Sequence, residues 1–286
     1  MIEPSALKCG VLITRRTTIR GQIVSDYFKV CFFMANIAVF NQKGGVGKTT
    51  TSLNVVAALA RLEGKRVLAI DVDPQANLSS ALGQKQPLAD QSIFGFFTNV
   101  ASLAGLMKPV ADRIDLITGH LEVAKLDSLL GKSYGAITRL VVALKALQTG
   151  HSDVVCDCSP VLSVPTLNAL FAADYVLIPV SADHLSVLGA QQVERTLGVL
   201  GPVMRREIPR KYVITRFNAA NSVCWDVERK LRDLFNDHLC YTRIRESAAL
   251  GESPVHGQDV FRYAPMSNGA GDYENLVKEL KSYGWF

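Results

Sequence analysis

The chain has 286 residues, 48% hydrophobic and 20% charged, with a formal net charge of +5. Those figures describe an ordinary soluble globular protein, long enough for one large α/β domain. They exclude a transmembrane helix, since no run approaches about 18 apolar residues, and so mild a charge does not by itself argue for nucleic acid.

Residues 1–33 carry five basic side chains (Lys8, Arg15, Arg16, Arg20, Lys29) against two acidic ones (Glu3, Asp26), +3 of the net charge, so the remainder is nearly balanced. This stretch shows no long amphipathic helix and ends just before Met34-Ala35-Asn36-Ile37, a natural start for a first strand. Three readings stay open: an upstream start that natural translation skips, a flexible basic tail, or a small DNA-binding module, the last disfavoured because so short a piece buries little core. The expected division is therefore 1–33 as an extension, flexible or not natively translated, and 34–286 as the functional domain. The apolar stretch 30–40 is broken by Asn36 and runs into Asn41-Gln42-Lys43. It is too short to span a bilayer and lacks the cleavage pattern of a secretory signal, so a cytoplasmic location is expected. The six cysteines (Cys9, Cys31, Cys156, Cys158, Cys224, Cys240) show no ligand-like repeat and are expected as reduced, mostly buried thiols.

From Asn36 onward short apolar or β-branched runs alternate with helical stretches. Strands are predicted at 37–41, 66–71, 114–118, 153–157, 175–180 and 211–215, each nearly continuous in apolar residues, as strands buried on both faces should be. Helices are predicted at 49–62, 136–147, 185–200, 222–235 and 270–282, the last with Tyr273, Leu276, Val277 and Leu280 at i, i+3, i+4, i+7. The alternation predicts an α/β fold: a doubly wound, mostly parallel sheet with helices on both faces.

The first predicted strand leads into Gln42-Lys43-Gly44-Gly45-Val46-Gly47-Lys48-Thr49-Thr50 and then a helix. Glycines let such a loop fold tightly so that its N–H groups converge on phosphate oxygens. The helix adds the positive end of its dipole. Lys48 supplies a point charge for β- and γ-phosphates, and the Thr49 hydroxyl is placed to ligate Mg²⁺.

Lys43 to Thr49 resembles the deviant Walker A motif, with an extra lysine at its start, that marks the ParA/MinD family of P-loop ATPases. Three further segments are similar to that family in the same order. Asp71-Val72-Asp73-Pro74-Gln75-Ala76-Asn77 resembles its switch segment, and 153–160 its Walker B strand ending at Asp157, followed by Thr166-Leu167-Asn168-Ala169-Leu170. Tyr263-Ala264-Pro265-Met266-Ser267-Asn268-Gly269-Ala270 resembles the ParA C-terminal segment near the adenine. The likeness spans about 36–282 and favours the ParA branch.

What the resemblance implies is specific. ATP and Mg²⁺ would be the cofactors, held by Gly44, Gly45, Val46, Gly47, Lys48, Thr49 and Thr50, with Asp157 and Pro265 nearby. Thr49, Asp73 and Asp157 would serve the metal, Asp157 through water. Asp73 would position the attacking water, since phosphoryl transfer needs placement more than covalent chemistry. Lys43 would reach across an ATP-bound homodimer to the partner's phosphates. The dimer would bind nucleoid DNA without sequence preference, and a ParB-like or adaptor protein would stimulate slow hydrolysis, so that a chromosome, plasmid or protein complex is positioned. Two other readings are a regulatory ATPase acting only on protein partners and a MinD-like membrane switch.

Other features weigh on that choice. Cys156-Asp157-Cys158 could suggest a metal, but Cys-x-Cys on a buried strand without a second pair reads as packing. The end of the chain, 278–286, has Trp285 and Phe286, yet its apolar stripe reads as core and no stable membrane binding is expected. Basic residues gather at Arg205, Arg206, Arg210 and Lys211, at Arg229, Lys230 and Arg232, and at Arg243 and Arg245. Arg205, Arg206, Arg229, Lys230, Arg232 and Arg245 are the candidate DNA contacts; a solvated charged face is the plainer alternative. Ile244-Arg245-Glu246-Ser247-Ala248-Ala249-Leu250 departs from the basic pattern of many chromosomal ParA proteins, and Ser159-Pro160 replaces a usual Pro pair.

Overall fold

The computed structural model describes residues 11–19, 22–30, 34–131, 133–147 and 150–286. Two units separate, Met1–Met34 and Ala35–Phe286. In the first, β1 (Val11–Ile19) and β2 (Gln22–Val30) pair antiparallel, Val11 opposite Val30 and Ile19 opposite Gln22. The sequence reading named no regular element here. The β-branched content of both segments suits extended backbone.

The second unit is built on eight strands: β3 (Ala35–Val39), β4 (Val67–Asp71), β5 (Lys108–Ala111), β6 (Ile114–Ile117), β7 (Asp153–Asp157), β8 (Tyr175–Ser181), β9 (Arg210–Phe217) and β10 (Leu239–Arg245). Their spatial order is β10-β9-β8-β3-β7-β4-β6-β5, all parallel except β5 against β6. β3, β4, β6 and β7 are buried at every position, which explains why their sequences read as nearly continuous apolar runs.

The two strands at the sheet edges, β5 and β10, were not foreseen. β5 contains Pro109, which only an edge tolerates. β10 carries Arg243 and Arg245 and looks too polar for a strand. Its edge is closed by carboxylates instead of a further strand. Glu279 accepts the N–H groups of Tyr241 (2.7 Å) and Thr242 (2.8 Å), and Asp272 accepts that of Arg245 (2.9 Å). Covered N–H groups make a poor template for pairing with another chain.

The main helices are Lys48–Leu62, Val164–Ala172, His184–Met204, Ser222–Phe235 and Asn268–Ser282. The predicted helix at 136–147 is instead two, Tyr134–Ile137 and Arg139–Ala146, interrupted at Thr138. Asn168 bridges that region to the helix Val164–Ala172: its amide donates to Ala136 O (2.8 Å) and its carbonyl accepts Leu140 N (2.9 Å). The helix Lys48–Leu62 is buried over nearly its whole length and meets the helix Asn268–Ser282 through Thr51 and Tyr273, whose hydroxyls lie 3.1 Å apart. Trp285 is only 3% exposed and stacks on Tyr175 at 4.6 Å, so the end of the chain is spent on the core. Among the described residues no helix is long and apolar enough to cross a membrane.

Candidate functional site

The strand order places β3, β7 and β4 side by side, and their carboxyl ends converge. Register does the rest: Asp157 pairs with Val39 on one side and with Asp71 on the other. The loop after β3, the end of β7 and the loop after β4 therefore share one crevice, the position where open α/β sheets take ligands.

Gly45 (φ 74) and Gly47 (φ 87) hold the left-handed backbone that the loop 42–48 needs. A Cβ at Gly44 or Gly45 would meet nothing within 4 Å, so the mouth of the loop is open. Thr215, at the end of β9, supports the loop by donating to Val46 O at 2.9 Å. Asn41 fixes its start: the amide donates to Pro179 O (2.8 Å) and the carbonyl accepts Lys43 N (2.9 Å). Gln42 Oε1 accepts Thr196 Oγ1 at 2.9 Å from the helix His184–Met204.

Lys48 is buried, and its ammonium donates to Lys43 O at 2.9 Å across the loop. Burial lowers its pKa, while the charges of Asp157 and Asp73 act against that shift. Asp157 is fully buried and takes Thr49 Oγ1 at 2.8 Å on one oxygen and Ser52 Oγ at 2.7 Å on the other. Burial pushes its pKa up, and those two hydroxyls partly offset the effect. Thr50 stands behind the loop with its carbonyl accepting Asn54 Nδ2 at 2.8 Å.

The switch segment carries two carboxylates, Asp71 at the end of β4 and Asp73 two residues beyond. The structure separates them. Asp73 is 7% exposed, accepts Gln75 N at 2.9 Å, and bears on the charge of Lys48. Asp71 is fully buried and turned to Ser79, whose N–H (2.9 Å) and hydroxyl (2.7 Å) it accepts. Strand alternation permits both residues to be inside, but only tertiary neighbours decide which oxygen meets which donor.

Lys43 lies within its own chain's reach of Asp183 Oδ1 (2.6 Å) and Ser186 Oγ (2.7 Å). Asp183 caps the helix His184–Met204 through Ser186 N at 2.9 Å. Burial would raise the Asp183 pKa, but the bonds from Lys43 and Ser186 win and hold it at about 2. Pro265 is exposed in the turn before the helix Asn268–Ser282. The short helix Val260–Tyr263 that precedes this turn is tied to the helix Lys48–Leu62 by Asn54, whose Oδ1 accepts Val260 N at 2.9 Å.

Asn41, Ser52, Asp183, Ser186 and Thr215 were missed by sequence reasoning. Ser52 stood one turn beyond Thr49, and Asp183 at a helix start, so both had local signals. Asn41 and Thr215 act through strands far apart in sequence and had none. Cys156 and Cys158 are buried free thiols, and burial pushes both pKa values up, that of Cys156 to about 12.

The six basic candidates do not converge on one free surface. Arg206 donates to the carbonyls of Phe171 and Ala173. Arg232 donates to Leu239 O (3.0 Å) and Cys240 O (3.3 Å), and Arg245 grips Asp272 with two nitrogens (2.6 and 3.0 Å). Arg229 faces Asp226 at 3.4 Å on the exposed side of its helix. Among the described residues, Arg205 and Lys230 are exposed and make no ion pair. Lys230 lines a cleft of about 680 Å³ with His184, Leu188 and Asp233.

Residues 34–208 match a sequence family described as an AAA domain. The chain is 33% identical over 250 residues to the sporulation initiation inhibitor protein Soj of Bacillus subtilis, covering 87% of this chain and 98% of that protein. It is 37% identical over 254 residues to the chromosome-partitioning ATPase Soj of Thermus thermophilus, covering 85% and 94%. Among solved structures, cobyrinic acid a,c-diamide synthase from Mycobacterium smegmatis with bound ADP and magnesium superposes with a TM-score of 0.76 at 25% identity, over 88% of this chain and 96% of that one.

Proposed function

Because this chain belongs to the ParA/MinD family of P-loop ATPases, on its ParA-type partitioning branch, we propose that it is an ATP-driven dimerising switch that positions cargo on nucleoid DNA in the cytoplasm. The observation that carries the reading is the convergence of the loop 42–48, Asp157 and Asp73 at the ends of three adjacent strands. We assign the activity to residues 34–286.

ATP fits the chemistry of the donor set. The loop offers backbone N–H groups, a helix N-terminus and a buried lysine that, among the described residues, closes no salt bridge. Mg²⁺ fits as well. Among the described residues no three His, Cys, Asp or Glu side chains form a cage, and this ion is usually held by one or two carboxylates together with substrate phosphates. Thr49 and Asp157 would hold it, Asp157 through water, with Asp73 beside them. When bound, the ion neutralises charge on the phosphates. Lys48 neutralises charge on the β- and γ-phosphates, and Asp73 orients the attacking water.

Lys43 would leave Asp183 and Ser186 and meet the nucleotide of a second copy. Leu185 (69% exposed) and Leu188 (61% exposed), just past Asp183, give that copy apolar surface to bury. A ParB-like or adaptor protein would accelerate turnover. DNA contact would rest on Arg205, Lys230 and Arg229 more than on Arg206, Arg232 and Arg245, whose guanidinium groups hold the fold together. That same observation favours the second reading, a switch that acts on protein partners alone.

Retention on random-sequence duplex DNA separates the two. The DNA-positioning reading expects ATP-dependent retention, with affinity falling as salt rises at a log–log slope of about −0.9 per phosphate contacted. An ATP-bound dimer with no salt-sensitive DNA affinity would move the protein to the second class.

A further inference from the structure

Asp71 has no direct task in the phosphate site, yet it is among the most constrained carboxylates in the molecule. Its Oδ2 accepts both Ser79 N (2.9 Å) and Ser79 Oγ (2.7 Å), and its Oδ1 accepts Asp73 N (3.2 Å). Ser79 Oγ in turn accepts Gly119 N at 2.9 Å, from the loop that follows β6. That loop lies hard against the switch: a Cβ on Gly119 would come within 2.9 Å of Asp71 Cγ and of Asp73 O. Three segments distant in sequence, the end of β4, the helix Asn77–Ala81 and the β6 loop, thus meet on one carboxylate.

The donors define what the position tolerates. Three donor groups converge on Asp71, and both of its oxygens serve as acceptors. An asparagine in either orientation would set its NH₂ group against an N–H. Between Asp71 and Asp73 there is a single residue, and Asp73 itself is further fixed by Gln75 N on its carboxylate and Ala76 N on its carbonyl, both at 2.9 Å. The bond from Asp73 N to Asp71 Oδ1 is thus one of three anchors of Asp73, and its loss would free the Asp73 carboxylate to shift. A misplacement of about 1 Å in a positioning group is enough to cost about a hundredfold in rate.

We propose that Asp71, Ser79 and the Gly119 N–H form a positioning clamp that sets where the Asp73 carboxylate stands over the phosphate loop. They control turnover without touching nucleotide. Asp71 and Ser79 are positioning residues, acting through Asp73, and the β6 loop is the third wall of the clamp. The proposal rests on the role given to Asp73 above.

The test compares Ser79→Ala, Ser79→Thr, Asp71→Asn and Asp73→Ala with the unaltered full chain, reading affinity for a fluorescent ATP analogue, steady-state ATP turnover and the thermal midpoint. Ser79→Ala is expected to bind the analogue within about twofold of the unaltered chain while turnover falls about tenfold or more. Ser79→Thr keeps the hydroxyl and should keep the turnover. Asp71→Asn should behave like Ser79→Ala or more severely; should it fail to fold, the serine pair decides alone. Loss of turnover in Asp73→Ala with normal turnover in Ser79→Ala would overturn the clamp and leave the role of Asp73 standing. Normal turnover in Asp73→Ala would overturn that role and the clamp with it. Parallel losses of affinity, turnover and thermal midpoint in Ser79→Ala, unrelieved in Ser79→Thr, would reduce the clamp to a packing contact.

Discussion

The phosphate crevice and the basic C-terminal third are opposite cases of the same side-chain chemistry. In the crevice, Lys48 is buried, donates to a carbonyl and, among the described residues, closes no salt bridge, and the loop before it is open. In the C-terminal third, Arg206, Arg232 and Arg245 are already satisfied by carbonyls or carboxylates of their own chain. A positive side chain is most available to an external anion where the fold leaves it without a close internal one. The contrast teaches that spacing reveals the first kind of site, whereas a count of basic residues does not reveal the second.

The sharpest way to break the contrast is to remove the charge on the crevice side. Lys48→Ala should lower ATP affinity by about a hundredfold or more, as losing one member of a buried charged contact commonly costs about 2–5 kcal/mol. Calorimetric titration reads this directly, and unchanged affinity would remove the phosphate assignment.

Substitutions on the basic side should sort into two groups. Arg245→Ala leaves the buried Asp272 without its guanidinium, so stability should fall by about 1 kcal/mol, discounted because the arginine is half exposed, and the midpoint by about 2–4 °C. Lys230→Glu, with no ion pair to lose, should stay within about 0.5 kcal/mol of the original stability and should weaken ATP-dependent DNA retention. The reverse pattern in thermal unfolding would show that the contacts of Arg245 are incidental.

The smallest effect is the pH dependence of the nucleotide-free chain. Burial, with Asp157 as a negative neighbour, raises the pKa of Asp71, and burial raises that of Asp157. A carboxylate raised in the folded state contributes stability that is full below its unfolded pKa and is lost as pH rises through the folded value. The thermal midpoint should therefore decline between pH 5 and pH 8. Asp183, held low, contributes equally across that window and does not oppose the trend. A midpoint that rises over the same interval would mean that both buried carboxylates are stabilised as anions.

Much of this architecture was legible in the sequence, for reasons that vary by element. β3, β4, β6 and β7 are buried on both faces, so their apolar runs marked them with little ambiguity. The loop 42–48 was legible because left-handed backbone at Gly45 and Gly47 excludes most other residues. β5 and β10 escaped because edge strands need neither apolar faces nor uninterrupted N–H donors. The different surroundings of Asp71 and Asp73 escaped because they depend on Ser79 and Gly119, the latter some fifty residues further along and brought close by the pairing of β4 with β6. Lys43 was recognised by its place in the motif, but nothing local announced its bond to Asp183.

The central claim is that ATP couples this crevice to a second copy of the chain. Multi-angle light scattering of the Asp73→Ala variant tests it most directly, because slowed hydrolysis should preserve whatever assembly ATP produces. With Mg²⁺ and ATP the variant should run as a dimer, and with ADP as a monomer, while the same variant carrying Lys48→Ala should remain monomeric in both. A monomer in ATP, from a variant shown by calorimetry to bind it, would contradict the account.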